Sequence, residues 1–516
     1  MLRDFCTAAA VSTAAAFVSA CGSSPAPGVG APTPPDGGDR KLTVLVVVVD
    51  SLMPHEIGPG TPNLQALKES GTFYAESRAV FSAETIPNHV AMMTGVNPDR
   101  NGIAANKFID FDSGSLDDVD LALPEKLTAT TVFSWLRRDC VDSGAAPALR
   151  TGAVLSKKYL FDVFAGDAAN PDRENDNPTV FNVQPDEYWD PTGSPAYLPD
   201  PDEHTPDAPT MQEVLSRLDA VDFLFVNLGD VDRAAHAFEQ PGRAAVLPST
   251  DTQIGLLVEE LQSSGRWDDT VLIIVSDHGM DYSAHNPVAA ISVQPTLDAL
   301  GACLPPMLGV PNGGTNGLFF TDRTLSAAER DAVLVPVRAC LLGDAAACTA
   351  ACAGATPPAA GILEAWYVQP NGLDPSANLP ESIHSGHENL GDLVLIADDA
   401  YKFAEPGSSG QAVTGNHGHL ETFHNTMLIS GGAPWVRRGV VVEASAPNPG
   451  PLDRLPEQSE NIDVAPTVLW LFGLQPGPGE FPDGEGFDGR VLSQAFTPFL
   501  TDVNPPPPTA CGRFGD

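Results

Sequence analysis

The stretch LTVLVVVVD, Leu42 to Asp50, is eight uncharged residues ending on a carboxylate. β-Branched residues in close succession favour an extended chain, and a run without polar alternation needs cover on both faces. That pattern marks an inner strand of a parallel sheet flanked by helices. Three further runs share the form: residues 223–226 before Asn227, 271–275 before Ser276-Asp277, and 393–396 before Ala397-Asp398. Helices are expected at 61–70, 87–94, 210–218 and 252–263, so the predicted fold class is α/β, a doubly wound, mostly parallel sheet. In such sheets ligand and catalytic groups gather at the carboxyl ends of the strands. Asp50 and Asp277 fall there, and Asp232 follows one loop later.

Outward from this strand, the 516 residues divide by composition. Residues 1–21 read as a lipoprotein signal peptide, with Arg3 ahead of an apolar stretch too short to span a bilayer. Its end, Val18-Ser19-Ala20-Cys21, resembles the lipobox of bacterial lipoproteins, which marks Cys21 for lipidation; a plain Val-Ser-Ala cleavage site is the alternative. Residues 22–40 form a Pro/Gly/Ser-rich tether. Residues 41–280 and 411–502 are expected to make the two parts of the catalytic α/β core, the latter with a core helix at 462–473. Between them, 281–410 reads as an inserted, cysteine-containing cap, and 503–516 is a Pro-rich tail. Beyond Cys21 stand Cys140, Cys303, Cys340, Cys348, Cys352 and Cys511. An even number in an exported chain implies up to three disulfides, with the pairing open. No C-x-x-C occurs, which argues against a cysteine-type zinc site.

The chain holds 67 acidic residues against 27 Lys and Arg, a formal net charge of −40. A surface that acidic repels polyanions and excludes a nucleic-acid-binding module. A phosphorylated substrate would need positive charge from a few residues or from metal ions. There is no P-loop motif, and the G-x-G-x-x-G at Gly484 to Gly489 follows a Pro/Gly loop rather than a strand, so it reads as a turn.

The residues that could carry chemistry are Asp and His at strand ends. Asp277-His278 sits in VSDHGM, Asp232 and His236 are four apart, and His417 lies in Gly415-Asn416-His417-Gly418. Four-residue spacing puts a pair on one helical face, and imidazole with carboxylate suits Zn²⁺ and similar divalent ions. Thr85, in ETIPNHV, falls at the start of the helix opened by Pro87, where backbone N–H groups favour an anionic oxygen. A threonine hydroxyl needs a metal or a base to act as a nucleophile; without one, Thr85 reads as a cap.

In this order the motifs resemble the alkaline phosphatase superfamily, and within it the type I phosphodiesterase/nucleotide pyrophosphatase branch. The motifs are Asp50, Thr85-x-Pro-Asn-His, Thr94-Gly95 through Asn101-Gly102-Ile103, Asp232-x-x-x-His236, Ser276 to Met280, and Gly415 to Gly418. The resemblance covers about residues 41–280 and 411–495. It implies two divalent metal ions, with zinc the expected metal. Asp50, Thr85, Asp277 and His278 would hold one, and Asp232, His236 and His417 the other. Thr85 would be the nucleophile, and Asn106, 21 residues on, would hold a phosphoryl oxygen. Ala235 stands where the family commonly has Gly, and the aromatic-rich nucleotide pocket is not recognisable past Asn106. Ser156-Lys157-Lys158 lies where related monoesterases and phosphonate hydrolases bind a terminal phosphate or carboxylate; a solvated turn is the plain reading.

The expected function is metal-dependent hydrolysis of phosphoric esters through Thr85, phosphodiesterase/nucleotide pyrophosphatase-like. The alternatives are a phosphomonoesterase or phosphonate hydrolase using Lys157 or Lys158, and a non-catalytic metal-binding envelope lipoprotein. The expected partners are a small phosphorylated substrate and a membrane reached only through the lipid anchor. The expected location is the bacterial cell envelope.

Overall fold

The computed structural model describes residues 41–142, 149–165, 183–199, 203–282, 290–399, 401–404, 415–445, 452, 454–497 and 511. The expected signal peptide with Cys21, the tether and, apart from Cys511, the tail lie outside the described residues. Twelve strands build the two larger sheets. In chain order they are β1 (Thr43–Val49), β2 (Thr72–Tyr74), β3 (Thr151–Leu155), β4 (Glu187–Trp189), β5 (Phe223–Leu228) and β6 (Thr270–Val275). There follow β7 (Met307–Asn312), β8 (Thr315–Phe320), β9 (Ile362–Tyr367), β10 (Leu393–Ala397), β11 (Met427–Ser430) and β12 (Val440–Val442).

The main sheet runs β12-β2-β11-β6-β1-β5-β3-β4, and every pairing is parallel except those of β11. All seven residues of β1 are buried, and they alternate between two cores. Val44, Val46 and Val48 pack beneath the helices Thr85–Thr94 and Val464–Leu471. Leu45, Val47 and Val49 pack beneath Pro62–Ser70, Asp207–Arg217 and Asp230–Ser263. We label these helices, in chain order, α1 (Pro62–Ser70), α2 (Thr85–Thr94), α3 (Asp207–Arg217), α4 (Asp230–Ser263) and α5 (Val464–Leu471). Each fully buried Val or Leu is worth roughly 1.5–3 kcal/mol, so the unbroken apolar run is what fixes β1 at the centre.

Two sequence expectations need correction. The run 393–396 is β10, but it pairs antiparallel with β8 and β9 in a second sheet ordered β7-β8-β10-β9. Its two-sided burial has another source: Leu393 and Leu395 face a core with Cys340 and Cys348, while Val394 and Ile396 face Phe81 and Ala104. The expected helix at 252–263 is only the end of the 34-residue α4, which continues through Pro241 and Pro248. Both prolines lie on the exposed side, as do Ala237 and Ala244 four residues before them, so water can serve the carbonyls they leave unpaired.

The six cysteines pair as Cys140–Cys511, Cys303–Cys352 and Cys340–Cys348, which marks an oxidising compartment. No helix among the described residues is long and apolar enough to cross a membrane. The first bridge spans 371 residues and ties Cys511, whose N–H donates to Phe472 O just past α5, to the main core. Replacing Cys140 and Cys511 with Ser should lower unfolding stability by about 2–5 kcal/mol in a urea titration; a change below about 0.5 kcal/mol would show that the bridge carries no such role.

Candidate functional site

Four adjacent strands, β6-β1-β5-β3, end on one edge of the sheet, and each delivers a polar group there. Asp50 follows β1. Ser51 then takes a left-handed turn, φ +62°, which points its N–H at Asp277 Oδ1, 2.9 Å away. The buried Arg243 of α4 holds this turn through the Ser51 hydroxyl and carbonyl. Asp277 and His278 follow β6, and Asp232 and His236 occupy the first turns of α4 beyond β5. Ser156 and Lys157 follow β3. From the other side, α2 brings Thr85 at its first residue, with Oγ1 3.3 Å from His278 Nε2. His417 completes the ring, its imidazole stacked on that of His278 at 3.8 Å.

Asp50, Asp277 and His278 have no exposed surface, and Asp232 is 3% exposed. Within the site, three carboxylate oxygens are buried without a hydrogen-bond partner: Asp50 Oδ1, Asp232 Oδ1 and Asp277 Oδ2. All three face imidazole nitrogens. His278 Nε2 lies 3.3 Å from Asp277 Oδ2 and 3.7 Å from Asp50 Oδ1. His236 Nε2 and His417 Nε2 lie 3.4 and 4.0 Å from Asp232 Oδ1.

The tautomers follow from the backbone. His278 Nδ1 bonds Gly279 O at 2.9 Å and His417 Nδ1 bonds Ala83 O at 3.1 Å. A carbonyl only accepts, so both Nδ1 atoms carry the proton and both Nε2 lone pairs point into the site. Burial holds both imidazoles below their ordinary range, and neighbouring His278 and His236 depress His417 further. Neutral imidazole and unpartnered carboxylate oxygen are what a divalent cation binds. Among the described residues, two buried groups bring Asp and His atoms close enough together to hold a cation, Asp232-His278-His417 and Asp50-His89-Asp277.

In the second group, His89 is an orienting residue. Its Nδ1 bonds Thr85 O at 2.8 Å, so Nε2 accepts from Asn227 Nδ2 at 3.0 Å and neither nitrogen is left over. Burial pushes its pKa down to about 4, in keeping with the neutral ring. Asn227 gives its other Nδ2 hydrogen to Asp50 Oδ2, 3.1 Å away, and accepts Ser156 Oγ at 2.6 Å. The sequence carried a sign of Asn227, a polar residue inside a buried apolar strand. Nothing in it distinguished a role for His89 from that of the motif around it.

The two lysines of the candidate pair part company. Lys158 opens a short helix and pairs with Asp162 at the surface. Lys157 is 1% exposed rather than in a solvated turn, and Nζ lies 2.7 Å from Asp50 Oδ2 and 2.9 Å from Asp232 Oδ2. Burial alone would lower its pKa, but the two carboxylates outweigh that and hold it well above the ordinary range. Burial likewise would raise Asp232, yet Lys157 and the adjacent histidines keep it well below the usual carboxylate range. Asp277 has no such cation in contact, and burial, with Asp50 beside it, pushes it well up. Asn106 is half-buried, with Oδ1 accepting Ile86 N–H at 2.8 Å.

Comparison with known proteins bears on the family and the fold. Residues 44–420 match the family model described as type I phosphodiesterase / nucleotide pyrophosphatase. A bis(5'-adenosyl)-triphosphatase of Xenopus laevis is 22% identical over 239 residues, covering 45% of this chain and 45% of the relative. A venom phosphodiesterase of Macrovipera lebetinus is 25% identical over 234 residues, 44% of this chain and 24% of the relative. The chain therefore spans less than half the length of these relatives. Among solved structures, murine ectonucleotide pyrophosphatase / phosphodiesterase 5 superposes with a TM-score of 0.57 at 16% identity, covering 88% of this chain and 100% of that one. The same murine protein, as an inactive threonine-to-alanine variant in complex with AMP, gives 0.54 at 17% identity, covering 83% and 94%.

Lys157 is the buried counter-cation of Asp50 and Asp232. Replacing it with Met should destabilise the metal-free protein by about 3–5 kcal/mol, the cost of breaking a buried ion pair. Urea unfolding in the presence of a chelator measures this, and a loss under about 1 kcal/mol would contradict the pairing.

Proposed function

The chain belongs to the type I phosphodiesterase/nucleotide pyrophosphatase family, and on that premise we propose that it is an exported, metal-dependent phosphodiesterase whose nucleophile is Thr85. The supporting observation is the set of three buried, unpartnered carboxylate oxygens converging with imidazole Nε2 atoms beside a threonine hydroxyl. Asp50, Asp277, His278 and Thr85 would hold one divalent ion, and Asp232, His236 and His417 the second. Zinc suits this donor set of imidazole and carboxylate. The bound ions would supply Lewis acidity and lower the pKa of a coordinated hydroxyl or water.

The chain's own residues then have distinct tasks. Thr85 Oγ1 attacks phosphorus and forms a phosphothreonine while the bond to the leaving alcohol breaks, the hydroxyl proton leaving with that alcohol. Water then cleaves the phosphothreonine and restores Thr85. At the start of α2 Ile86 N–H is taken by Asn106 Oδ1, Asn88 N–H by Glu84 O, and Pro87 has none, so the Thr85 N–H and the Asn106 Nδ2 are the donors offered to the equatorial oxygens. His89 and Asn227 keep Asp50 and the Thr85 backbone aligned. A nucleotide ester is the substrate class favoured by the AMP bound to the murine relative.

A monoester or phosphonate substrate recognised through Lys157 is the second reading, favoured by the position of that ammonium group beside Asp50 and Asp232. Its charge is already matched by those two carboxylates. That favours the diester, which needs no extra countercharge for a dianionic phosphoryl group. A non-catalytic envelope lipoprotein would be expected to have lost part of the donor set. Lipidation at Cys21 would anchor the enzyme to the envelope.

Thr85→Ala should reduce hydrolysis of bis(p-nitrophenyl) phosphate by at least about a thousandfold, on the scale of losing a nucleophile, while metal content measured by plasma mass spectrometry stays unchanged. Retention of most activity would refute the assignment. The wild-type enzyme should also hydrolyse this diester at least about tenfold faster than p-nitrophenyl phosphate; the reverse ratio would favour the monoester reading, and bound metal without turnover of either would favour the non-catalytic one.

A further inference from the structure

The residue just before Thr85 is a carboxylate that the reaction scheme leaves without a task. Glu84 is 1% exposed, and no cation is among its hydrogen-bond partners. Its Oε2 accepts the backbone N–H of Asn106 at 2.6 Å, and its Oε1 accepts the Thr315 hydroxyl at 2.9 Å. Asn106 answers two residues further on, its Oδ1 accepting Ile86 N–H at 2.8 Å. The segment that begins α2 and the segment that carries Asn106 are thus tied twice, each side chain to the other's backbone. With Oδ1 committed, the Asn106 amide is fixed with Nδ2 as the group left to donate.

The second partner of Glu84 brings in the other sheet. Thr315 opens β8 and Asn312 ends β7, so both flank one tight turn. Asn312 exchanges two bonds with the backbone of Lys107, accepting its N–H at 2.8 Å and donating to its carbonyl at 3.0 Å. Gly314 N–H donates to His417 O at 2.8 Å, and a Cβ on Gly314 would sit 2.5 Å from His419 N. One turn therefore touches the strand beside Asn106, the cap of α2 and the loop carrying His417. Burying a carboxylate is costly, and an acceptor-only group suits a place where both partners donate.

We propose that Glu84 is a positioning residue for phosphoryl transfer: its carboxylate fixes Asn106 relative to Thr85 and ties both to the turn 312–315. The inference rests on the reading that Thr85 and Asn106 act on the phosphoryl group. A shift of about 1 Å in such a group can cost about a hundredfold in rate.

The test is a double-mutant cycle on bis(p-nitrophenyl) phosphate with wild type, Glu84→Ala, Asn106→Ala and the double variant, with zinc content measured for each. Glu84→Ala should lower kcat about ten- to hundredfold with KM within about threefold and zinc unchanged. In the Asn106→Ala background the same change should cost less than about threefold, because its target is gone. Glu84→Gln should recover most of kcat, since its oxygen still accepts from Asn106 while its amide donates to a turned Thr315 hydroxyl. Thr315→Val, which removes the hydroxyl shared between Glu84 Oε1 and Asn312 O and leaves Glu84 in place, should lower kcat about three- to tenfold and carries the test if Glu84→Ala does not fold. Equal losses in both backgrounds, a Gln variant as impaired as Ala, or an unimpaired Thr315→Val would overturn the proposal. A wild-type protein inactive on every phosphoester would instead take down the functional reading, and this inference with it.

Discussion

Three carboxylates shut away from water, Asp50, Asp232 and Asp277, set the terms for the rest of the structure. Each buried ion costs several kcal/mol unless opposite charge and hydrogen bonds compensate it. Lys157 and Asn227 serve one oxygen of Asp50, Lys157 one of Asp232, and two backbone N–H groups one of Asp277. The other oxygen of each is unpartnered. Three carboxylates against one ammonium leave negative charge in excess inside a protein that is already acidic throughout. Without metal, protonation relieves that excess, in keeping with the raised pKa of Asp277; divalent cations would relieve it as well, and cations are also what an anionic phosphoryl group requires.

The sheet makes this concentration of charge possible. Parallel pairing of β6, β1, β5 and β3 aligns their carboxyl ends, so groups far apart in the chain meet without a long loop between them. Buried valines and leucines on both faces hold the strands rigid, and rigid elements keep ligand geometry within the tolerance catalysis needs. The turn between β7 and β8 then bears on the same site from the second sheet, through Glu84, Lys107 and His417.

Much of this was legible from residue order. Apolar runs ending in Asp placed Asp50 and Asp277 at strand ends, and four-residue spacing placed Asp232 and His236 on one face of α4. What stayed hidden depends on which strands become neighbours. Lys157 and Lys158 are adjacent in sequence and chemically alike, and only the seating of β3 beside β5 sends one into the core and leaves the other on the surface. Nothing in the sequence singles out Glu84, because its partners Asn106 and Thr315 lie further along the chain. The run 393–396 was read correctly as a strand and wrongly as parallel, since two-sided burial can come from two different cores. α4 outran its expected limits because both its prolines face solvent.

The central claim is that these carboxylates and imidazoles hold two divalent ions, and calorimetric titration of chelator-stripped protein with Zn²⁺ tests it most directly. The expected result is two equivalents bound per chain, with Asp277→Asn and Asp232→Asn each losing one. A folded wild-type protein that binds fewer than one equivalent, or variants that bind as the wild type does, would contradict it.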